Sequence, residues 1–469
     1  MQRPNFRSLR EVCLMTVSLV GWVACGAKTE SGLGSGGSAA LGGAAGSVSS
    51  GGANGGSPSP NGGSTAAGGS STGGSAQGGS LTSGGQTSAG GAPAQGGSSG
   101  MSGGAGGSGG GTAGSTNANA CQPGPAAAPQ SGVAFPFPQN RFASSCIYPA
   151  ACSTATVATG WDNYKKKFIV DGGDGSLRVQ RPENSNDTVS EGIAYGMLFA
   201  VYMNDKTTFD KLWQYAQKFF NGNGLMHWQI GSGGNVMGMN SATDSDEDMG
   251  FALIMADKQW GGYADITKNF LGRVASKDFA GDGTIRGGDY YADVNPSYLA
   301  PAFYRVFARY TGDQRWMTIL DKSYQILQGA ANATTGLVPD WSTGSRGRNY
   351  TYDAARTPYR VALDACWFNE PRAKAYAEKV GAFFNGVGVD NIKDGYALDG
   401  MVTGMYKNST FIGPAGVAGM VSKHTQLVDD TWTFVATDLN AGTESYFNMS
   451  WALFSAMMMT GNFWDMSSP

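Results

Sequence analysis

Beyond Ser153, apolar side chains recur at the three- and four-residue spacing of helices rather than the alternation of strands. They form segments separated by polar or glycine-rich loops. The predicted helices span 155–169, 190–204, 207–220, 244–258, 261–275, 296–311, 313–329, 358–368, 370–385, 410–422, 428–437 and 443–460. Short links between successive segments are typical of antiparallel neighbours. The pattern therefore predicts an all-α fold in which six helical hairpins close into an (α/α)6 barrel.

The chain ahead of these helices has a different composition. No charged residue occurs between Ser31 and Asn140, and GGS, AGG and GGA units repeat up to about residue 120. Such a segment buries too little apolar surface to offset the conformational entropy lost on ordering, so residues 26–120 are predicted to be a disordered tether. Residues 121–469 are then expected to form one globular domain.

The first residues carry the pattern of an export signal. Three arginines precede an apolar run that is too short to span a membrane, which predicts a signal peptide at residues 1–25. The run ends in WVAC, which resembles the lipobox of bacterial lipoproteins, although Trp22 replaces the usual aliphatic residue. We therefore expect an exported protein, either a cell-surface or outer-membrane lipoprotein lipidated at Cys25 or a secreted protein.

Charge and metal-ligand content exclude several functions. The formal net charge is −3 and Lys and Arg do not cluster, which argues against a nucleic-acid partner. There are two histidines and no C-x-x-C or H-E-x-x-H motif, so neither a metal site nor a cofactor is expected. We expect a monomer that touches a membrane only through a lipid anchor.

Four cysteines fall in the predicted globular domain, where export makes a disulfide reasonable. The close spacing of the first three favours a bond from Cys121 to Cys146 or Cys152. Cys366 lies in an apolar predicted helix and is expected to be a buried free thiol.

The segment TVSEGIAYGM, Thr188–Met197, has one charged residue, Glu191. Thr188 and Glu191 fit a capping box, in which the glutamate reaches back to the first backbone amide of the helix. An active-site acid is the alternative. A similar choice applies to the acidic residues Asp244, Asp246, Glu247 and Asp248, most of which are expected to complement the dipole of the helix that they begin.

The segment YDAARTPYRVALDACWF, Tyr352–Phe368, contains a second candidate pair. Arg360 and Asp364 are four residues apart on one face of a helix, where an ordinary surface ion pair is the simplest interpretation. Apolar neighbours surround Asp364 in the sequence, and a carboxylate in a buried position needs a functional or structural reason.

Five motifs follow one another along the chain at wide separations. They are TVSEGIAYGM, SATDSDEDMGFALIMADKQW, VNPSYLAPAFYRVF, GLVPDW and YDAARTPYRVALD. Together they resemble glycoside hydrolase family 8, in the subgroup with a catalytic aspartate, over about Tyr164 to Trp464. The resemblance implies an (α/α)6 barrel that hydrolyses β-1,4-linked glycans with inversion, using one carboxylic acid and one carboxylate base.

The resemblance also implies roles for individual residues. Glu191 of the SEG motif is expected to be the general acid, and Asp364, which closes RTPYRVALD, the general base. Asp244 is expected to hold the sugar at the cleavage point, and Tyr298 to help place the water. The expected substrate-binding residues are Trp228, Tyr290, Tyr291 and Arg360.

The predicted activity is that of an endo-1,4-β-glucanase, a cellulase with a polysaccharide substrate. Xylanase, lichenase or chitosanase activity is the enzymatic alternative. A surface lipoprotein that binds glycan without cleaving it is the alternative from another class, and a role associated with cellulose synthesis is a third possibility.

Overall fold

The computed structural model describes Cys121 and residues 124–468. The predicted signal peptide, the whole predicted tether and Cys25 lie outside the described residues and stay predictions. Helices dominate the described part of the chain. They are α1 Thr154–Phe168, α2 Ser190–Tyr202, α3 Lys206–Lys218, α4 Thr243–Trp260, α5 Ala264–Lys277, α6 Pro301–Thr311, α7 Arg315–Ala330, α8 Thr357–Phe368, α9 Pro371–Val387, α10 Ser409–Ser422, α11 Thr425–Ala441 and α12 Tyr446–Met459.

The even-numbered helices form an inner ring. Nearly every residue of α2, α4, α10 and α12 is buried, as expected of helices that are apolar on all sides. Neighbours in this ring pack in the order α2, α4, α6, α8, α10, α12. The odd-numbered helices bury one face each and pack outside this ring, with α1 joining α11 and α12. The predicted (α/α)6 barrel is confirmed.

One predicted helix is interrupted. The segment 296–311 forms a 3-10 turn at Pro296–Tyr298 and then α6, which begins at Pro301. A proline ring disfavours the helical conformation of the residue before it, and Ala300 accordingly has φ −121° and ψ 63°. The break leaves Tyr298 outside the regular helix, at the end of the barrel where α6 begins.

Short strands connect the helices. A hairpin of β1 (Ile169–Gly173) and β2 (Ser176–Val179) follows α1. A three-stranded antiparallel sheet has the order β3 (Thr188–Val189), β4 (Gln229–Ile230), β5 (Val236–Gly238). Since β3 runs directly into α2 and the chain after β5 runs into α4, this sheet joins the beginnings of two inner helices.

The cysteine pairing differs in part from the prediction. Cys121 bonds to Cys152, one of the two expected partners. Cys146 bonds to Cys366, so the prediction of a free thiol at Cys366 was wrong. Ile147 donates a backbone hydrogen bond to Met420 at 2.9 Å, which holds the N-terminal segment against the barrel and brings Cys146 to the end of α8. Sequence spacing does not reveal this contact, because 220 residues separate the two cysteines.

The described residues contain neither a membrane-spanning helix nor a metal-binding cluster. No helix among them has both the length and the hydropathy to cross a membrane. Within the same part of the chain, no group of three or more His, Cys, Asp or Glu side chains is arranged to hold a metal ion.

Candidate active site

A buried cation, Arg356, lies at the centre of a cluster of carboxyl groups. Its Nη1 donates to Glu191 Oε2 at 2.7 Å and also to Asp244 Oδ2, and its Nη2 donates to Asp353 Oδ1 at 3.3 Å. Glu191 and Asp244 lie in the first turns of α2 and α4. Asp353 and Arg356 flank the 3-10 turn that leads into α8. The beginnings of three inner helices therefore meet at one guanidinium group.

Glu191 faces this cluster and does not cap its helix. The N-cap of α2 is Val189, and no side chain caps the helix there. The second oxygen of Glu191, Oε1, accepts a hydrogen bond from the Tyr446 hydroxyl at 3.1 Å. Burial raises the pKa of Glu191 to about 7, against the opposing effect of Arg356. The capping interpretation is therefore wrong, and the dipole of α2 is outweighed by burial and by the nearby Asp244 carboxylate.

Asp353 is the second partly exposed carboxyl group of the cluster, with 21% of its side chain accessible. Its Oδ2 accepts hydrogen bonds from Trp341 Nε1 at 3.0 Å and from Asn295 Nδ2 at 3.2 Å. Burial raises the pKa of Asp353 to about 7, and Arg356 again acts in the opposite direction. All three of its hydrogen-bond partners are N–H donors.

Asp244 lies deeper than these two groups. Its side chain is almost fully buried, and its Oδ1 accepts the backbone N–H of Ser245 at 2.9 Å. The Ser245 hydroxyl bonds to the Ser190 hydroxyl at 2.7 Å, so α2 and α4 are joined directly beside the cluster. These contacts fix the relative positions of Glu191 and Asp244.

Asp364, the expected base, lies elsewhere. It is eight residues beyond Arg356 along α8, roughly 12 Å along the helix axis at 1.5 Å per residue. Its side chain has 0% exposure and accepts bonds from Arg305 Nε at 2.7 Å and from the Tyr324 hydroxyl. The structure therefore does not bring Asp364 to the cluster, and its carboxylate is inaccessible to a substrate-bound water.

Arg360 also differs from its expectation. Its Nη1 and Nη2 donate to both oxygens of Asp248, at 2.9 Å and 2.7 Å, and both side chains are buried. Arg360 and Asp364 do not form the ion pair that their spacing allows, because each of them has a partner on another helix. Full burial in this bidentate pair also removes Arg360 from the surface that a substrate would touch.

The other acidic residues at the start of α4 are buried, and Asp246 lies in the first turn of the helix, where a carboxylate complements the dipole. Glu247 accepts a hydrogen bond from the Tyr304 hydroxyl at 2.6 Å. Asp246 lies near Asp278, and burial raises the pKa of both carboxyl groups well above the usual range. Since each acid of this turn has a different neighbour, only Asp244 reaches Arg356.

Tyr298 and Trp228 lie close to the cluster. The Arg356 guanidinium lies 5.2 Å from the centre of the buried Tyr298 ring, and Trp341 packs against the same ring at 5.9 Å. The Trp228 carbonyl accepts the Ser190 backbone N–H at 2.9 Å, one residue before Glu191. The partly buried Trp228 indole therefore lies beside the beginning of α2.

The two neighbouring tyrosines have different surroundings. Tyr291 packs edge-on against Trp341 at 5.4 Å, its hydroxyl donates to Asp293 at 2.5 Å, and Arg346 covers its ring at 4.6 Å. Tyr290 makes no such packing and is 71% exposed. Of the two, Tyr290 has the accessible ring that a sugar platform requires.

Sequence reasoning missed Asp353, Arg356, Trp341 and Tyr446. The first two belong to the YDAAR motif, and Trp341 ends GLVPDW. Three of these four residues therefore lie in motifs that carry the family resemblance. Asp353 and Asp364 both fall in the last motif, and the sequence does not say which of them turns toward Glu191.

A family model described as Glycosyl hydrolases family 8 matches residues 135–461. The chain belongs to glycosyl hydrolase family 8. Endoglucanase 2 of Ruminiclostridium josui is 36% identical over 354 residues, which cover 70% of this chain and 77% of that protein. Endoglucanase A of Acetivibrio thermocellus is 38% identical over 333 residues, covering 66% and 70%.

A solved structure of a family relative is also similar. The apo structure of the β-1,3-1,4-glucanase from Paenibacillus sp. X4 is 31% identical, with a TM-score of 0.67 and coverage of 70% of this chain and 99% of that chain. The predicted family is thus confirmed, and this family 8 chain is a glycoside hydrolase.

Proposed function

We propose that this family 8 enzyme is an inverting endo-1,4-β-glucanase in which Glu191 is the general acid and Asp353 the general base. Asp353 replaces Asp364 in that role. The observation that carries the proposal is the bridge through Arg356, which joins two partly exposed carboxyl groups at one end of the barrel.

The separation of the two groups is compatible with inversion. Glu191 and Asp353 bond to the two terminal nitrogens of one guanidinium. Their bridged oxygens are therefore at most roughly 8 Å apart, compatible with the roughly 6.5–9.5 Å that leaves room for a water between acid and base. Asp364, more than two helical turns away, does not meet this condition.

The hydrogen-bond partners divide the two roles. Three buried or partly buried carboxyl groups share one guanidinium, so retaining one proton at neutral pH lowers the cost of burying negative charge. Hydrogen bonds donated to a carboxylate stabilise its ionised form. Asp353 accepts N–H groups from Trp341 and Asn295 in addition to its bond with Arg356. Glu191 has only the Tyr446 hydroxyl in addition to Arg356. Glu191 is therefore the group that keeps the proton, and Asp353 the group that is ionised.

Asp244 and Tyr298 support these two groups. Asp244 bonds to Arg356 beside Glu191 and so fixes the bridge, while its expected contact with the sugar at the cleavage point stays a prediction, because its side chain is almost fully buried. Tyr298 packs beneath Arg356 next to Trp341, and we assign it to the placement of the attacking water on the Asp353 side.

The proposed substrate is a β-1,4-linked glucan. Two relatives that are 36% and 38% identical are endoglucanases by name, which favours this substrate. The name of the β-1,3-1,4-glucanase structure favours a mixed-linkage glucan as the second candidate. Both substrates share an extended chain of glucose units cleaved internally.

The test is a substrate panel with an inactivated control. The purified enzyme and its Glu191→Gln variant are assayed on carboxymethylcellulose, lichenan, xylan and chitosan, and the first product anomers are observed by NMR. We expect cleavage of the glucans with α-anomeric products, and a loss of roughly 10²- to 10⁴-fold in the variant. Binding without reducing-sugar release would instead indicate a non-catalytic glycan-binding protein, and β-anomeric products would exclude inversion.

A further inference from the structure

Exposed apolar side chains are concentrated at the active-site end of the barrel. Among the described residues, the large apolar side chains that are well exposed fall in three loops, with Phe142 as the one exception. The first loop contains Val236, Met237 and Met239, and the second contains Tyr290. The third, which we call the 394–406 loop, contains Met401, Val402, Met405 and Tyr406.

The first loop lies on the Glu191 side. Val236 and Met237 belong to β5, which reaches α2 through β4 and β3. The backbone of Gly238 packs directly against the Trp228 indole. The second loop lies nearer to Asp353, because Tyr291 beside Tyr290 contacts Trp341, which bonds to Asp353. These loops surround side chains already identified as candidates for sugar binding.

The 394–406 loop lies on the Asp353 side. The Tyr352 hydroxyl donates to Asp394 Oδ2 at 3.0 Å, and Tyr352 is the residue before Asp353. Asp394 Oδ1 in turn accepts the backbone N–H groups of Met405 at 2.7 Å and Tyr406 at 2.9 Å. Asp394 therefore links the exposed end of this loop to the segment that contains Asp353, the proposed base.

The loop is well anchored although its side chains are exposed. Tyr396 exchanges two backbone hydrogen bonds with Tyr350, at 2.9 Å and 3.0 Å. The Thr335 hydroxyl donates to the Leu398 carbonyl at 2.6 Å, and Ala397 pairs with Met401 across a tight turn. Ordered apolar side chains that remain in water are typical of binding surfaces.

We propose that Met405 and Tyr406 form a sugar-binding platform for the part of the substrate chain that extends past Asp353. They are 73% and 68% exposed. The occupant is the polysaccharide that is cleaved between Glu191 and Asp353, because the platform is continuous with that site through Asp394 and Tyr352. The apolar face of a pyranose ring packs on an aromatic ring, and a methionine side chain adapts to its edge.

This inference rests on the proposed function and adds a length requirement to it. A short oligosaccharide that spans only the cleavage point does not reach the 394–406 loop, whereas a polymer does. The platform therefore contributes to KM for long chains and leaves the chemical step unchanged. It favours cleavage inside a chain, because residues on both sides of the bond are held.

The test compares two substrate lengths in three full-length proteins. Wild type, Met405→Ala/Tyr406→Ala and the control Phe142→Ala are assayed on soluble β-glucan and on aryl cellobioside. Phe142 is also exposed, but it packs on Tyr148 in the N-terminal segment that precedes α1. We expect the double variant to raise KM for the polymer about tenfold, with kcat and the aryl cellobioside kinetics within twofold of wild type. The control should match wild type on both substrates.

An equal loss of activity of the double variant on both substrates, or an unchanged KM for the polymer, would overturn the proposal of a platform. If wild type cleaves no glucan, the proposed function fails, and the platform is then tested by affinity electrophoresis in gels that contain carboxymethylcellulose, lichenan or xylan. Retardation that the double variant loses and Phe142→Ala keeps would support the platform independently. Unchanged retardation in the double variant would overturn it.

Discussion

Protonation at the active site depends on how many hydrogen-bond donors stabilise the ionised form of each carboxyl group. Besides Arg356, Trp341 and Asn295 both donate to Asp353, whereas Glu191 has only the Tyr446 hydroxyl. The same burial that raises both pKa values to about 7 thus yields an acid at one position and a base at the other. The two groups titrate as a coupled pair, so the pH profile reports the pair.

The first prediction concerns Tyr446. Activity should fall as pH rises through about 7, because Glu191 must be protonated, and should fall at lower pH as the Asp353 carboxylate gains a proton. The Tyr446 hydroxyl bond lowers the pKa of Glu191, so Tyr446→Phe should move the alkaline limb of kcat/KM to higher pH. An alkaline limb that stays in place or moves to lower pH would contradict this role for Tyr446.

Which carboxylate serves as base could not be predicted from the sequence. Periodicity correctly indicates that Asp364 is buried. A buried aspartate is explained equally well by an ion pair, here with Arg305, and by a catalytic role. Asp353 precedes the helix, where no periodic pattern applies. Its importance follows only from the approach of Arg356 and Trp341, which the fold brings together from separate segments.

Helix positions, by contrast, were predicted within a few residues. The inner helices are apolar on all sides and the outer ones on one side, and both patterns are visible in the sequence. The break before α6 was missed although Pro301 signals it, because the apolar pattern continues across the break. The short strand β3 was also missed, since two residues carry no periodicity.

The second prediction concerns the β4–β5 hairpin. A Cβ at position 238 would overlap the Trp228 ring, so Gly238→Ala should displace the indole. We expect kcat/KM on soluble β-glucan to fall about tenfold, with the melting temperature nearly unchanged, because the hairpin is peripheral to the core. The double variant with Trp228→Ala should lose no more than Trp228→Ala alone. Additive losses would show that Gly238 acts independently of Trp228.

At the scale of the molecule, one disulfide fastens the N-terminal segment to the barrel and a second closes a loop within that segment. Cys146–Cys366 closes a loop of 220 residues, and Cys121–Cys152 closes one of 31. Loop closure lowers the entropy of the unfolded chain more for the longer loop, within a typical range of about 2–4 kcal/mol. The bond to Cys366 could not be predicted from the sequence, because a contact between distant segments leaves no local signal.

The third prediction follows from this difference. Cys146→Ser/Cys366→Ser should lower the melting temperature by several degrees, and more than Cys121→Ser/Cys152→Ser does. Neither disulfide lies at the active-site end of the barrel. The kcat at 25 °C should therefore remain within about twofold of wild type in both variants. Calorimetry and glucan hydrolysis provide the two readouts. An equal or reversed order of melting temperatures would contradict the prediction.

The most direct test of Asp353 as the base compares Asp353→Asn with the matched variant Asp364→Asn. Both replace one carboxylate oxygen by an amide group within the same motif. We expect kcat on soluble β-glucan to fall by roughly 10²- to 10⁴-fold in Asp353→Asn with an unchanged melting temperature. Asp364→Asn should lower the melting temperature, because Arg305 loses a charged partner, yet retain kcat within about tenfold per folded molecule. The opposite pattern, an active Asp353→Asn and a folded but inactive Asp364→Asn, would contradict the assignment.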